Sequence, residues 1–119
     1  MKSIRILTAA RRDLIRGYHF YEHQALGVGR YFLDTLFSDI DSLGLNAGMH
    51  PIRFGKYHCL LSRRFPWAVY YRVEGEVVLV YAVLDNRANP SKTRQRLTRN
   101  KVSMTTQSDA FSVVSDQIL

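Results

Sequence analysis

From Ser3 to Leu7 the chain reads SIRIL, an alternation of polar and apolar residues that predicts a half-buried strand. Thr8 is placed to cap a helix opening at Ala9, with Asp13 in its first turn, where the macrodipole favours an acid. Leu14, Tyr18 and Tyr21 recur at i, i+4 and i+7 and give that helix one apolar face. Gly27 and Gly29 are read as its break. Phe32, Leu33, Leu36, Phe37, Ile40 and Leu43 then repeat at spacings of three and four, predicting a second helix that stops around Gly44 to Gly48, before Pro51. Two amphipathic helices joined by a short glycine segment make an antiparallel hairpin.

The period then changes from helical to strand-like. Tyr57–Arg63 is expected to be a strand, Arg64–Phe65–Pro66 a turn, and Trp67–Val73 a strand rich in aromatic and β-branched residues. Glu74–Gly75–Glu76 reads as a hairpin turn into Val77–Leu84, which is apolar on both faces and so belongs inside the sheet. A loop, Asp85–Pro90, precedes a short helical stretch from Ser91 to Leu97. The order β-αα-βββ is that of an α+β domain in which a helical hairpin covers a small, mostly antiparallel sheet. Leu36, Phe37 and Ile40 should pack on one alternate set of the last strand: Val80, Ala82 and Leu84, or Leu79, Tyr81 and Val83. The boundaries read as one domain over 1–97 and a polar, Ser/Thr-rich tail over 98–119, with a linker at about 98–109.

Composition narrows the function classes. The 119 residues are 46% hydrophobic, enough for a core, yet no apolar run approaches the ~18–20 residues of a membrane span. Arg5, Arg11 and Arg12 interrupt the N-terminal apolar stretch, which argues against a secretory signal. The one cysteine, Cys59, fits a reducing cytoplasm, and the chain is expected to act there. Net charge is +7, unevenly spread: residues 53–101 hold eleven Lys/Arg against three Asp/Glu, whereas residues 1–52 hold six against five. A basic half of this kind attracts polyanions or an acidic protein partner.

Candidate chemistry is sparse. His19, Glu22 and His23 match the H-x-x-E-H pattern of one zinc-protease class, but no third ligand is apparent, and the pair reads as solvated helix histidines; no metal or cofactor is expected. Cys59 and its neighbour His58 should point to opposite faces of a strand, so they make no nucleophile–base pair. Gly27–Val28–Gly29 lacks the remaining glycines of a phosphate loop. More informative is the strand face carrying Ala68, Tyr70 and Arg72, since a tyrosine beside an arginine suits phosphate contact and base stacking.

Three stretches make the chain similar to the RelE/ParE superfamily of toxins from bacterial type II toxin–antitoxin pairs. AARRDLIRGYHFYE resembles the family's first helix. RRFPWAVYYRVEGEVVLVYAVLDNR resembles its central hairpin, and ANPSKTRQRL resembles its short C-terminal helix. The resemblance runs from about Ile4 to Leu97 and implies a small intracellular poison held inactive in a heteromeric complex by a cognate antitoxin. It also implies one of two targets. ParE-like members poison DNA gyrase; RelE-like members cleave mRNA on the ribosome. Cleavage through a 2′-hydroxyl needs a base, an acid and cations at the phosphate. On the RelE-like alternative, Arg63, Arg64 and Arg87 match basic positions of the pattern, and His58 and Tyr70 would have to converge as acid and base. Arg53, Lys56, Arg72, Arg94 and Arg96 are the further candidates for target or phosphate binding. No His or Tyr follows the last strand through Pro90, and Ala88 and Asn89 stand where the family often has Arg and Asp. That departure favours the gyrase-binding reading and leaves a third one open, an inactive toxin fold or plain nucleic-acid-binding module.

Overall fold

The computed structural model describes residues 1–103. Strand β1 (Ser3–Ile6) leads into α1 (Thr8–Gln24), and the chain returns through α2 (Val28–Asp41) and the single turn α3 (Leu43–Asn46). Then come β2 (Ile52–Arg53), β3 (Tyr57–Leu61), β4 (Trp67–Glu74), β5 (Val77–Asp85) and α4 (Pro90–Ser103). The five strands form one sheet in the order β1-β5-β4-β3-β2, with β1 parallel to β5 and the other pairs antiparallel. This is the expected α+β architecture, and β5 lies inside the sheet between β1 and β4.

The α1–α2 hairpin covers one face. Leu14, Phe32, Leu36 and Ile40 pack there on Val69, Tyr71, Val78, Val80 and Val83, while Phe37 is only partly buried at the margin. Neither alternate set expected for β5 is correct. A bulge opposite Tyr70/Tyr71 shifts the register, so that Tyr70 pairs Ala82 and Tyr71 pairs Val80. Tyr81 is the extra residue, and it joins Ala82 on the face away from the hairpin. One inserted residue reverses the parity of everything beyond it, so Val80 and Val83 face the hairpin together.

The beginning of α1 also differs from expectation. Leu7 donates its N–H to Val80 O, continuing the parallel ladder, and its own carbonyl accepts from Arg11 N–H. Strand therefore passes into helix without a linker, and Leu7, not Thr8, occupies the capping position, with no side-chain cap. Asp13 is not a first-turn acid. It shares a buried stripe with Ala10, Leu14, Gly17 and Tyr21.

Gly29 lies within α2 instead of breaking the chain ahead of it. The two helices touch at their glycines: a Cβ on Gly17 would stand 2.5 Å from the Phe32 ring, and one on Gly29 would stand 2.6 Å from Tyr18 O. Glycine lets the backbones approach this closely.

The second sheet face carries a smaller core of Leu7, Tyr57, Cys59, Ala68, Tyr70 and Tyr81, closed by Leu97 of α4. Tyr57 Oη donates to Leu97 O at 3.1 Å and ties the helix down. Asn89 Oδ1 accepts from Ser91 N–H at 2.9 Å and caps α4, with Pro90 in the first helical position. No Gly or Pro follows Leu97 within the helix, so α4 continues to Ser103, past its expected end. The rest of the expected polar tail lies outside the described residues.

Candidate functional site

The basic residues of the second half fall at two ends of the sheet. At one end, Trp67 of β4 pairs Asp85 of β5, and Asn86 N–H donates to Pro66 O at 2.7 Å. That bond ties the β3–β4 turn, with Arg63 and Arg64, to the loop that carries Arg87. Arg63 Nε is 3.3 Å from Asp39 Oδ1, and Arg64 Nη1 donates to Tyr31 Oη at 3.0 Å. Arg87 grips Asp85 with two parallel bonds, Nε to Oδ1 at 3.0 Å and Nη2 to Oδ2 at 2.8 Å. These bonds hold the Asp85 carboxyl below the usual carboxylate range despite some desolvation. All three arginines are exposed. Beneath them lies an aromatic cluster of Tyr21, Phe32, Phe65 and Trp67, knit by the Trp67 Nε1–H bond to Tyr21 Oη at 3.0 Å, with Tyr31 and Phe20 half-exposed nearby.

At the other end stand Arg53 and Lys56, in and after the β2 strand, and Arg72 late in β4. Phe54 sits between β2 and β3 with φ 54°, a left-handed conformation costly for a non-glycine residue. Its ring is held by an edge contact to Tyr70 and by the Arg94 guanidinium, 5.3 Å above its centroid.

His58 and Tyr70 do not converge. His58 pairs Tyr71 across the ladder and stacks on its ring, on the hairpin side of the sheet. Tyr70 pairs Cys59 and points to the opposite side. The Ala68–Tyr70–Arg72 face, expected to be open, is covered by the second core, and Tyr70 is 4% exposed. Burial, with Cys59 beside it, pushes the Tyr70 hydroxyl up to about 12, so it stays protonated at neutral pH. Burial also pushes the Cys59 thiol up, away from the thiolate a nucleophile needs.

The histidine helix has a local explanation. Glu22 accepts the N–H groups of Gly27 and Gly29 at 2.9–3.1 Å, so its carboxylate sits at the N-terminus of α2, where backbone donors lack partners. His19 and His23 are exposed.

Two features escaped the sequence reading. Asp13 is 1% exposed and receives Arg96 Nη1 and Nη2 at 2.7 Å each, Val83 N–H at 3.0 Å and Arg16 Nη1 at 3.2 Å. Arg96, expected among target-binding residues, is thus set in the ion pair that joins α4 to α1. Burial nevertheless raises the Asp13 carboxyl above its ordinary value, because desolvation outweighs the guanidinium. The helical spacing of Asp13 with Ala10, Leu14 and Gly17 was the available signal.

The second feature is a knot around Tyr71. Its hydroxyl accepts Gly48 N–H at 2.9 Å and bonds His50 Nδ1, while His58 Nδ1 donates to His50 O at 2.7 Å. Burial first, and then the His58 charge, push His50 below the ordinary histidine range. The folded chain therefore resists a proton that the unfolded chain takes near ~6.5. The stability this gives is present above that value and is lost as pH falls through the lower, folded-state value. Melting temperature should fall between about pH 7.5 and 5.5, and the fall should shrink in His50→Gln. An equal fall in both proteins would remove His50 as the cause.

This geometry agrees with a comparison to protein families. Residues 4–90 match the family model described as the ParE toxin of the type II toxin–antitoxin system parDE. The chain belongs to the ParE toxin family. A solved structure titled the chromosomal ParDE TA system from P. aeruginosa superposes with a TM-score of 0.66 at 18% identity, covering 71% of this chain and 96% of that one. At that identity the likeness extends to the fold. No curated protein matches the chain. The ParE match ends at residue 90, where α4 begins. No helix among the described residues is long and apolar enough to cross a membrane.

Proposed function

We propose that this ParE-family chain arrests growth inside the cell by binding DNA gyrase and is neutralised by a cognate antitoxin. The observation that carries the reading is the separation of His58 from Tyr70 on opposite sheet faces. An mRNA interferase using this pair as acid and base would need both at one phosphate. What the chain does present together is Arg63, Arg64 and Arg87, beside half-exposed Tyr31 and Phe20. Arginines rimming exposed aromatics suit a protein interface. The antitoxin segment is expected to alternate acidic and apolar residues, complementing this half of the chain, with an association rate that falls as salt rises.

Purified protein added to gyrase and supercoiled plasmid should trap the enzyme on cleaved DNA, and induction should raise DNA-damage signalling while transcripts stay whole. Broken mRNA with gyrase unaffected would transfer the assignment to the ribosome-dependent alternative. Within the same assay, Arg87→Ala should weaken arrest more than the double change His19→Ala/His23→Ala at equal soluble protein. Arg87 lies in the arginine group after β5, whereas the histidines lie on an exposed helix face. Arrest lost in the histidine variant alone would overturn that ranking.

A further inference from the structure

We propose that α4 is a binding surface for duplex DNA, contacting the phosphate backbone without reading sequence. The proposal goes beyond the gyrase reading, because it concerns DNA bound by this chain alone. It rests on a helix of which the family match covers only the first residue, Pro90.

Between Pro90 and Ser103 the sequence has five cations, Lys92, Arg94, Arg96, Arg99 and Lys101, and no Asp or Glu. The fold fixes this helix firmly. Thr93 and Leu97 are buried, Arg96 is paired with Asp13, and Tyr57 Oη holds Leu97 O. With one face anchored, Lys92, Arg94 and Arg99 are exposed, and none of the three has an acidic partner among the described residues. They flank the helix on two sides. Lys92 and Arg99 border a groove of about 290 Å³ that α4 shares with Arg16 of α1, and Arg94 borders the opposite side, over Phe54 and near Lys56.

Which polyanion fits follows from what α4 lacks. Among the described residues, its exposed side chains after Pro90 are Ser91, Lys92, Arg94, Gln95, Thr98 and Arg99. Protein interfaces are anchored by buried aromatic or aliphatic side chains, and these six side chains offer none. Single strands are held by stacking on exposed aromatics, and these six include none of those either. Arginine, lysine, serine, threonine and glutamine are the side chains that contact phosphate and sugar. A helix ~10–12 Å across with cations on both flanks matches the two phosphate walls of a B-form major groove ~12 Å wide. The major groove of A-form RNA is too narrow to admit it. Among the described residues, the large exposed apolar side chains, Phe20, Leu26, Tyr31 and Leu61 among them, all lie outside α4, leaving separate surfaces for protein partners.

The test is fluorescence anisotropy of the full-length protein with a labelled DNA duplex of about 25 base pairs, between about 50 and 200 mM salt. Parallel arms use the same sequence as single strand, as RNA duplex, and poly-glutamate of equal charge. The duplex should bind tightest, with affinity falling steeply as salt rises. In Lys92→Gln/Arg94→Gln/Arg99→Gln, loss of three phosphate contacts should flatten the log–log salt slope by about 2.7, so wild type loses about forty-fold more affinity than the variant over that range. A control triple, Lys2→Gln/Arg30→Gln/Arg64→Gln, removes equal charge from the residue before β1, from α2 and from the β3–β4 turn, and should keep the slope. Each single change in α4 should lower the slope by about 0.9, which preserves the test if the triple variant melts early. No duplex binding overturns the proposal, as does an equal loss in the control triple. Tighter binding of single strand, RNA or poly-glutamate overturns it too, the last by assigning α4 to an acidic protein.

Discussion

Asp13→Ala is expected to cost about 3–5 kcal/mol, the usual penalty for removing one member of a buried ion pair. Against the ~5–15 kcal/mol of an ordinary domain, that is enough to leave much of the protein unfolded at growth temperature. The carboxylate takes both arms of Arg96, the β5 backbone at Val83 and the exposed Arg16. Removing it leaves a largely buried guanidinium without its bidentate partner and a buried N–H without its acceptor. The pair itself need not be stabilising, since burial already works against the charged carboxyl. Replacing both partners, as Asp13→Leu/Arg96→Met, should therefore cost far less than the single change. Urea unfolding midpoints of the two variants check this; a double variant as unstable as Asp13→Ala would show that packing, not uncompensated charge, dominates the site.

Phe32→Ala should also cost about 3–5 kcal/mol, because the ring is fully buried and touches Tyr21, Phe65 and Trp67. The same ring fills the space against Gly17 where a Cβ would fall 2.5 Å away. Gly17→Ala alone should thus destabilise by roughly 1–3 kcal/mol, even though alanine favours helix by about 1 kcal/mol. In the Phe32→Ala background the obstruction is gone, and Gly17→Ala should turn neutral or stabilising. A double-mutant cycle measures that change of sign. Additive effects in the cycle would mean that α1 and α2 separate freely and that the glycine contact is not what sets their approach.

The elements were legible in the chain because local spacing governs them. Leu14 and Tyr21 place one helix face, Phe32, Leu36 and Ile40 another, and the apolar run Val77–Leu84 is readable as an interior strand from its composition. The basic half and the likeness to the toxin superfamily are carried by the sequence itself, in the placing of its charges and in the Arg-Phe-Pro turn. Tertiary structure alone decided where those residues meet. The bulge at Tyr81 is a property of two strands together, and it reassigned the face of every residue after Val80. The partner of Asp13 lies 83 positions away, so no local window contains the pair. Tyr70 became core, and not a stacking platform, because α4 and Phe54 cover its face, a consequence of long-range packing. The grouping of Arg63 and Arg64 with Arg87 rests on the pairing of Trp67 with Asp85 and on the bond from Asn86 N–H to Pro66 O, contacts between segments far apart in sequence. Periodicity encodes which side of an element is apolar; what comes to lie against that side is fixed only when the whole sheet closes.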